Sequence, residues 1–325
     1  MSIKRPVGYR ARVQALRKRL VSKLLFFTFL LAFLALIPII FINLNNQSSN
    51  ERRDIRDLFD NEDFESAFLQ SKELLTERPL DYFLLTVNGF SAYQLAVAQI
   101  NNYDANIYLE EAIWSLRRAI LINDTAEIHY VLGKAYYHKG PSYADLAIKY
   151  LEKARDANFL AKDIPEYLGL SYASIQDYRS SIEAFSLALS GEYQNIYYQA
   201  GFDSSAADSP SDILLLSIAR SYIEMGEGDS ARAYLMQCIN ISRDSRIVST
   251  ARLLLAGIYF DIGDFERAEL EYLILLEENG ESAEAYFQLG EIYFAQGDNT
   301  RARAEWRRAL RVDSAYRPAR MRLNL

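Results

Sequence analysis

Residues 289–306 read LGEIYFAQGDNTRARAEW, and residues 255–272 read LAGIYFDIGDFERAELEY. Both stretches carry a leucine before a small residue (Leu289-Gly290, Leu255-Ala256), then Tyr293 or Tyr259, then Gly297-Asp298 or Gly263-Asp264. An alanine (Ala302, Ala268) and a large aromatic residue (Trp306, Tyr272) follow. The pattern continues upstream. Ile218-Ala219 leads to Tyr222, Gly226, Ala231, Leu235 and Cys238. Leu168-Gly169 leads to Tyr172, Asp177-Tyr178, Ser181, Phe185 and Ala188, and Leu132-Gly133 to Tyr136, Gly140, Ala147, Leu151 and Ala154. Self-similarity at this period means one supersecondary unit stacked many times.

Each unit reads as a helical hairpin. A small residue beside leucine, with an aromatic residue three positions on, sets one helix face against a neighbour. Gly-Asp makes the turn, where glycine tolerates positive φ. The recurring alanines sit where the second helix crosses the first, and the large residue four positions later is expected to fill the space toward the next unit. One hairpin cannot bury its apolar side alone, so the units stack into a superhelix. Most of the 23 tyrosines are then packing residues.

These motifs resemble the tetratricopeptide repeat (TPR) family over residues 125–314, in five units. The resemblance implies an all-α fold, a right-handed superhelical solenoid of helix–turn–helix repeats. Two degenerate units precede them within residues 51–124. Asp63-Phe64 with Ala67 and Pro79 looks like the second half of a repeat. Asn88-Gly89, Ala112, Leu116 and Ala119 look like another, with a long inter-helix loop around Asn101–Asn106. The step from Leu168 to Ile218 is longer than one repeat, and the surplus falls at residues 191–210. That insertion either folds onto the outside of the solenoid or contacts a partner through Tyr193, Tyr197, Tyr198 and Phe202. Residues 315–325 read as a cap with arginines outward.

The amino terminus is of another kind. Residues 24–42 read LLFFTFLLAFLALIPIIFI, free of charge. As a helix this run would extend about 28 Å, near the hydrocarbon thickness of a bilayer. It exceeds the usual apolar region of a signal peptide, and no small-residue cleavage pattern follows. The expectation is an uncleaved transmembrane helix, then a linker at 43–50. Residues 1–23 carry eight Lys and Arg and no acid. The positive-inside rule makes that tail cytoplasmic and places the repeats across the membrane, in a bacterium the periplasm. Attraction to anionic lipids accounts for the tail's charge as well.

Chemistry is sparse. A single cysteine, Cys238, permits no disulfide within the chain and reads as a small packing residue. His129 and His138 lie nine positions apart, on opposite sides of one helix, and cannot share an ion. There is no phosphate-binding glycine loop and no metalloprotease motif. The net charge of −7, against two basic ends, leaves an acidic body that disfavours nucleic acid. No cofactor, metal or catalytic activity is expected.

In the TPR family partner peptides lie along the concave face of the first helices. Carried over by the resemblance, the groove positions are Tyr130, Lys134, Tyr137 and His138, then Glu166 and Leu170. They continue with Leu216, Arg220 and Ile223, Leu253 and Phe260, and Phe287, Glu291 and Phe294. The Lys/Asn clamp of members that bind chaperone tails is absent. The expected function is a membrane-tethered scaffold that assembles other envelope proteins; scaffolds of the spirochaete periplasmic flagellar collar have a similar layout. A periplasmic carrier or chaperone holding a ligand or client in the groove is the alternative.

Overall fold

The computed structural model describes residues 49–190, 211–278 and 281–324. The expected transmembrane helix at 24–42 and the insertion at 191–210 lie outside the described residues. No helix among the described residues is long and apolar enough to cross a membrane.

The described residues form fifteen α-helices, with no strand among them. They pair in sequence order. The first hairpin is α1 (49–60) with α2 (Phe64–Glu77), and the second α3 (Tyr82–Ala98) with α4 (Asn102–Ile120). Then come α5 (Ala126–Lys139) with α6 (Ala144–Asp156), and α7 (Ile164–Ser174) with α8 (Tyr178–Leu189). The fifth and sixth hairpins are α9 (Asp212–Glu224) with α10 (Gly228–Ile241), and α11 (Ser245–Asp261) with α12 (Phe265–Glu278). The seventh pairs α13 (Ala283–Ala295) with α14 (Asn299–Val312), and α15 (Arg317–Leu323) caps it. A 3-10 turn at Pro141–Tyr143 joins α5 to α6.

The spacing from tyrosine to Gly-Asp has a hydrogen-bond reason. Asp264 N–H donates to the Tyr259 carbonyl (2.8 Å) and Gly263 N–H to that of Phe260 (2.9 Å), which closes the first helix through a left-handed residue, Gly263, at φ 76°. Asp264 then caps the second helix by accepting from Arg267 N–H (3.2 Å). Asp177 and Asp298 repeat the cap, and Asp63 makes it for α2. At two of these turns the left-handed residue is not glycine but Glu62 (φ 62°) or Gln176 (φ 64°).

Two expectations change. The large residue of the second helix packs onto its own hairpin, not merely toward the next. A Cβ placed on Gly133 would lie 2.5 Å from Leu151, and one on Gly169 would lie 2.6 Å from Phe185. The glycine is the seat for that side chain. The long loop expected around Asn101–Asn106 is also absent. Asn101 caps α4 by accepting from Tyr103 N–H (2.9 Å), so 102–106 form its first turn and more. Residues 49 and 50, assigned to the linker, belong to α1.

The tyrosines at this repeat position staple one hairpin to the one before it. Tyr172 OH donates to Glu152 (2.8 Å) on α6, and Tyr293 OH to Glu269 (2.6 Å) on α12. Both distances cross from a first helix to the preceding second helix.

Candidate functional site

The first helices α1, α3, α5 and α7 together line an open hollow of about 360 Å³. Its walls include Phe59 from α1, then Phe90, Tyr93 and Gln94 from α3. Tyr130, Lys134 and His138 come from α5 and Tyr167 from α7.

Lys134 is the centre. Its ammonium donates to Asp163 Oδ2 (2.8 Å) and to Tyr130 OH (2.9 Å). Tyr130 OH in turn donates to the Asp163 carboxylate (2.8 Å). The rings of Tyr167, Tyr130 and Tyr93 lie 4.8, 4.9 and 5.8 Å from the lysine nitrogen, a cation surrounded by three π faces. An ammonium has three donors, and two are committed here. Among the described residues the third has no acceptor, and a carbonyl or carboxylate brought into the hollow can take it.

Burial dominates the electrostatics. It raises the Tyr93 and Tyr130 hydroxyls well above the ordinary phenol range, with the negative charge of Asp163 adding to it. Tyr167 is pushed up to about 12 by burial and then by Asp163. His138 is lowered by burial and by the Lys134 charge, so its imidazole is neutral at pH 7. The Glu166 carboxyl is raised by burial and by Asp163. Neutral phenols and a neutral imidazole around one paired lysine make a polar but weakly charged surface, suited to hydrogen bonding and ring contacts.

Of the sequence-derived groove residues, Tyr130, Lys134 and His138 line this hollow, and Tyr137 stands beside it with its ring 4.9 Å from Tyr167. Glu166 and Leu170 are half-buried on α7. The other residues do not join them. Leu216 is only 8% exposed and belongs to the core on α9. Ile223, Leu253, Phe260 and Phe287 pack against the same core, while Arg220 is exposed. Glu291 and Phe294 are contacted by the cap, with Phe294 still 46% exposed. Arg322 pairs with both oxygens of Glu291, and its guanidinium lies 5.0 Å from the Phe294 ring. The cap is therefore not uniformly outward: Arg322 folds back onto α13.

Sequence reasoning missed Phe59, Phe90, Tyr93, Asp163 and Tyr167. A signal for two of them existed. Phe90 and Tyr93 stand at the offsets from Gly89 that Lys134 and Tyr137 have from Gly133. Cys238 is buried, its thiol pushed up to about 11 by burial, and it donates to the Asp212 carbonyl (3.3 Å). It is a packing residue.

A solenoid of helical hairpins with an open hollow on its first helices is a TPR-like domain. Residues 198–324 match the family model of the tetratricopeptide repeat-like domain, which covers the last three hairpins and the cap. Among solved structures, the C-terminal part of a TPR repeat-containing protein from Cytophaga hutchinsonii aligns with a TM-score of 0.56 at 16% identity, over 84% of this chain and 100% of that one. Pseudomonas aeruginosa pilF aligns with a TM-score of 0.49 at 14% identity, over 73% and 96%. YrrB, described as a TPR protein with an unusual peptide-binding site, aligns with a TM-score of 0.48 at 15% identity, over 65% and 98%. At these identities the likeness is one of fold. No curated protein matches the chain.

Proposed function

We propose that this protein is a membrane-tethered, non-catalytic scaffold whose hollow on α1, α3, α5 and α7 holds a segment of another envelope protein. The observation that carries the reading is the Lys134 cluster: a caged cation with a spare donor, neutral phenols and exposed Gln94 on helices that all face one side. TPR domains bind protein partners, and this surface offers both ring contacts and hydrogen bonds to an extended chain. The tether is residues 24–42, with 1–23 in the cytoplasm and the hairpins across the membrane, in the bacterial periplasm. The partners are subunits of an envelope assembly, with a periplasmic flagellar collar as the specific instance. In-cell crosslinking tests it. A photoreactive residue at Gln94 should give protein adducts, and one at Leu69 on the outer helix α2 should not. The Gln94 adducts should vanish in a Tyr93→Ala/His138→Ala chain; adducts unaffected by that pair of changes would remove the groove from the account.

A carrier that holds a small molecule is the second reading, favoured by the volume of the hollow. Native mass spectrometry of the purified chain separates the two, since only the carrier retains a ligand of fixed mass.

A further inference from the structure

We infer that the edge of the solenoid formed by its first two inter-hairpin junctions rests on the bilayer surface, with Leu80, Leu121 and Ile122 set among the lipid headgroups. This rests on the reading of residues 24–42 as a membrane anchor.

The apolar side chains are open. Leu80, between α2 and α3, is 67% exposed. Leu121 and Ile122, between α4 and α5, are 86% and 47% exposed. They share an edge. Arg52 on α1 donates to Asp81 (2.7 Å), and Arg78 to Glu51 (2.5 Å), so the start of α1 is pinned beside the junction that holds Leu80. The antiparallel pairing of α3 with α4 returns Leu121 to the same end.

The chain outside the structure says what covers this edge. Six residues, 43–48, separate the apolar run from α1. Fully extended they reach about 20 Å, so the start of α1 cannot stand farther than that from the bilayer. Helices pack about 8–10 Å apart, which puts Leu121 roughly two helix widths along the same edge. The composition of the edge agrees. Half-exposed Trp114, one to two turns before Leu121, carries the Arg118 guanidinium 4.3 Å over its ring, and Arg117 adjoins it. Tryptophan and arginine are the side chains that settle at a lipid–water interface. One of the acids there, Asp81, is neutralised by Arg52.

The apolar character fades with distance from the anchor. At the third junction Phe159 turns inward onto Tyr130 (5.1 Å). The fifth reads Ser242-Arg243-Asp244, and in the last, Asp313-Ser314-Ala315-Tyr316, the tyrosine turns inward onto Phe287 (5.7 Å). A contact this small suffices because the tether keeps the edge at high effective concentration near the lipid.

The test uses the full chain in phosphatidylcholine–phosphatidylglycerol vesicles. Leu80→Cys, Leu121→Cys and Ile100→Cys chains are each labelled with an environment-sensitive dye and exposed to lipid spin-labelled near the headgroup. Ile100 is fully exposed but lies at the hairpin-turn edge, the opposite end of α3. The labels at 80 and 121 should be quenched at least threefold more than that at 100. Equal quenching overturns the inference. Labels shielded from water but not quenched by lipid assign the edge to a second copy of the chain and overturn it too. Flotation of the same vesicles separates the two readings. A chain that does not float removes the anchor and the inference together, whereas one that floats with equal quenching keeps the anchor alone.

Discussion

The turn between paired helices shows how a single residue can be at odds with its backbone. Gln176 holds a left-handed conformation that Gly263 and Gly297 hold at the equivalent turns. A side chain there costs about 1–2 kcal/mol through crowding of Cβ against the carbonyl, partly offset by the greater freedom of glycine in the unfolded chain. Gln176→Gly should therefore stabilise the fourth hairpin by about 0.5–1 kcal/mol, seen as a higher thermal midpoint by circular dichroism. The opposite case is Gly169, where an added Cβ meets the buried Phe185 ring at 2.6 Å. Phe185 is a core residue with no room to withdraw. Gly169→Ala should cost about 1–3 kcal/mol by overpacking, measurable as a lower urea midpoint. A glutamine that gains by becoming glycine and a glycine that admits nothing larger separate turn chemistry from close approach.

At the scale of the element, α3 is held between its neighbours by buried polar bonds as well as by apolar contact. Asn88 donates to the Phe68 carbonyl and to Ser71 Oγ on α2 (both 3.2 Å), and accepts from Ser115 on α4 (2.7 Å). Removing it strands the Ser115 hydroxyl, at about 1–3 kcal/mol, and leaves Ser71 and the Phe68 carbonyl with only their mutual bond (3.0 Å). Asn88→Ala should thus loosen α2 first, and amide exchange should show lost protection at Phe68–Leu75 before any other hairpin. Helix α5 gives a pH signature. Burial lowers both His129 and His138, against the pull of Asp124 on His129. The unfolded chain then binds more protons near pH 6.5 and below, so stability falls as the pH drops from 7.5 to 5.5. Glu166, whose carboxyl is raised, contributes with the opposite slope. The difference between the native chain and a His129→Gln/His138→Gln chain isolates the imidazoles: the double change should flatten the loss of thermal midpoint on acidification. The elements were legible in the sequence wherever Leu-small-x-x-Tyr preceded the turn, because that spacing encodes the helix seat and the Asp-capped turn at once. Helix α1 lacks the motif and is legible only through its partner, and residues 102–106 read as loop because the Asn101 cap bond depends on a helix start that composition does not reveal. A smaller part of the groove was legible for the same reason. Tyr130, Lys134 and His138 follow from register, but Asp163 lies in an inter-hairpin junction, and Phe59 belongs to the helix without a motif.

A stacked solenoid owes its stability to the sum of its hairpins and their interfaces, so its weakest interface decides whether it unfolds as one body. The core of the last three hairpins runs without a break from Leu215 to Ala319, and that of the first three from Ile55 to Ala147. Between α8 and α9, among the described residues, the fully buried apolar contact is Phe185, Leu214 and Ile218, with half-buried Ile182, Leu189 and Tyr222 packed against them. Among the described residues the Ser181–Ser221 hydroxyl pair (3.2 Å) adds to it. Ile218 is fully buried there, and truncating it should cost about 2–5 kcal/mol, concentrated at one interface. Leu255 lies in the middle of the continuous C-terminal core, and its loss is shared by neighbours on both sides. In urea, Ile218→Ala should split unfolding into two transitions, with amides of α1–α8 and of α9–α15 exchanging at different denaturant concentrations. Leu255→Ala should lower the midpoint and leave the N-terminal half no more separated than in the native chain. If both variants unfold in one step, the α8–α9 interface couples as strongly as the rest, and the insertion interrupts the sequence period without interrupting the cooperative unit.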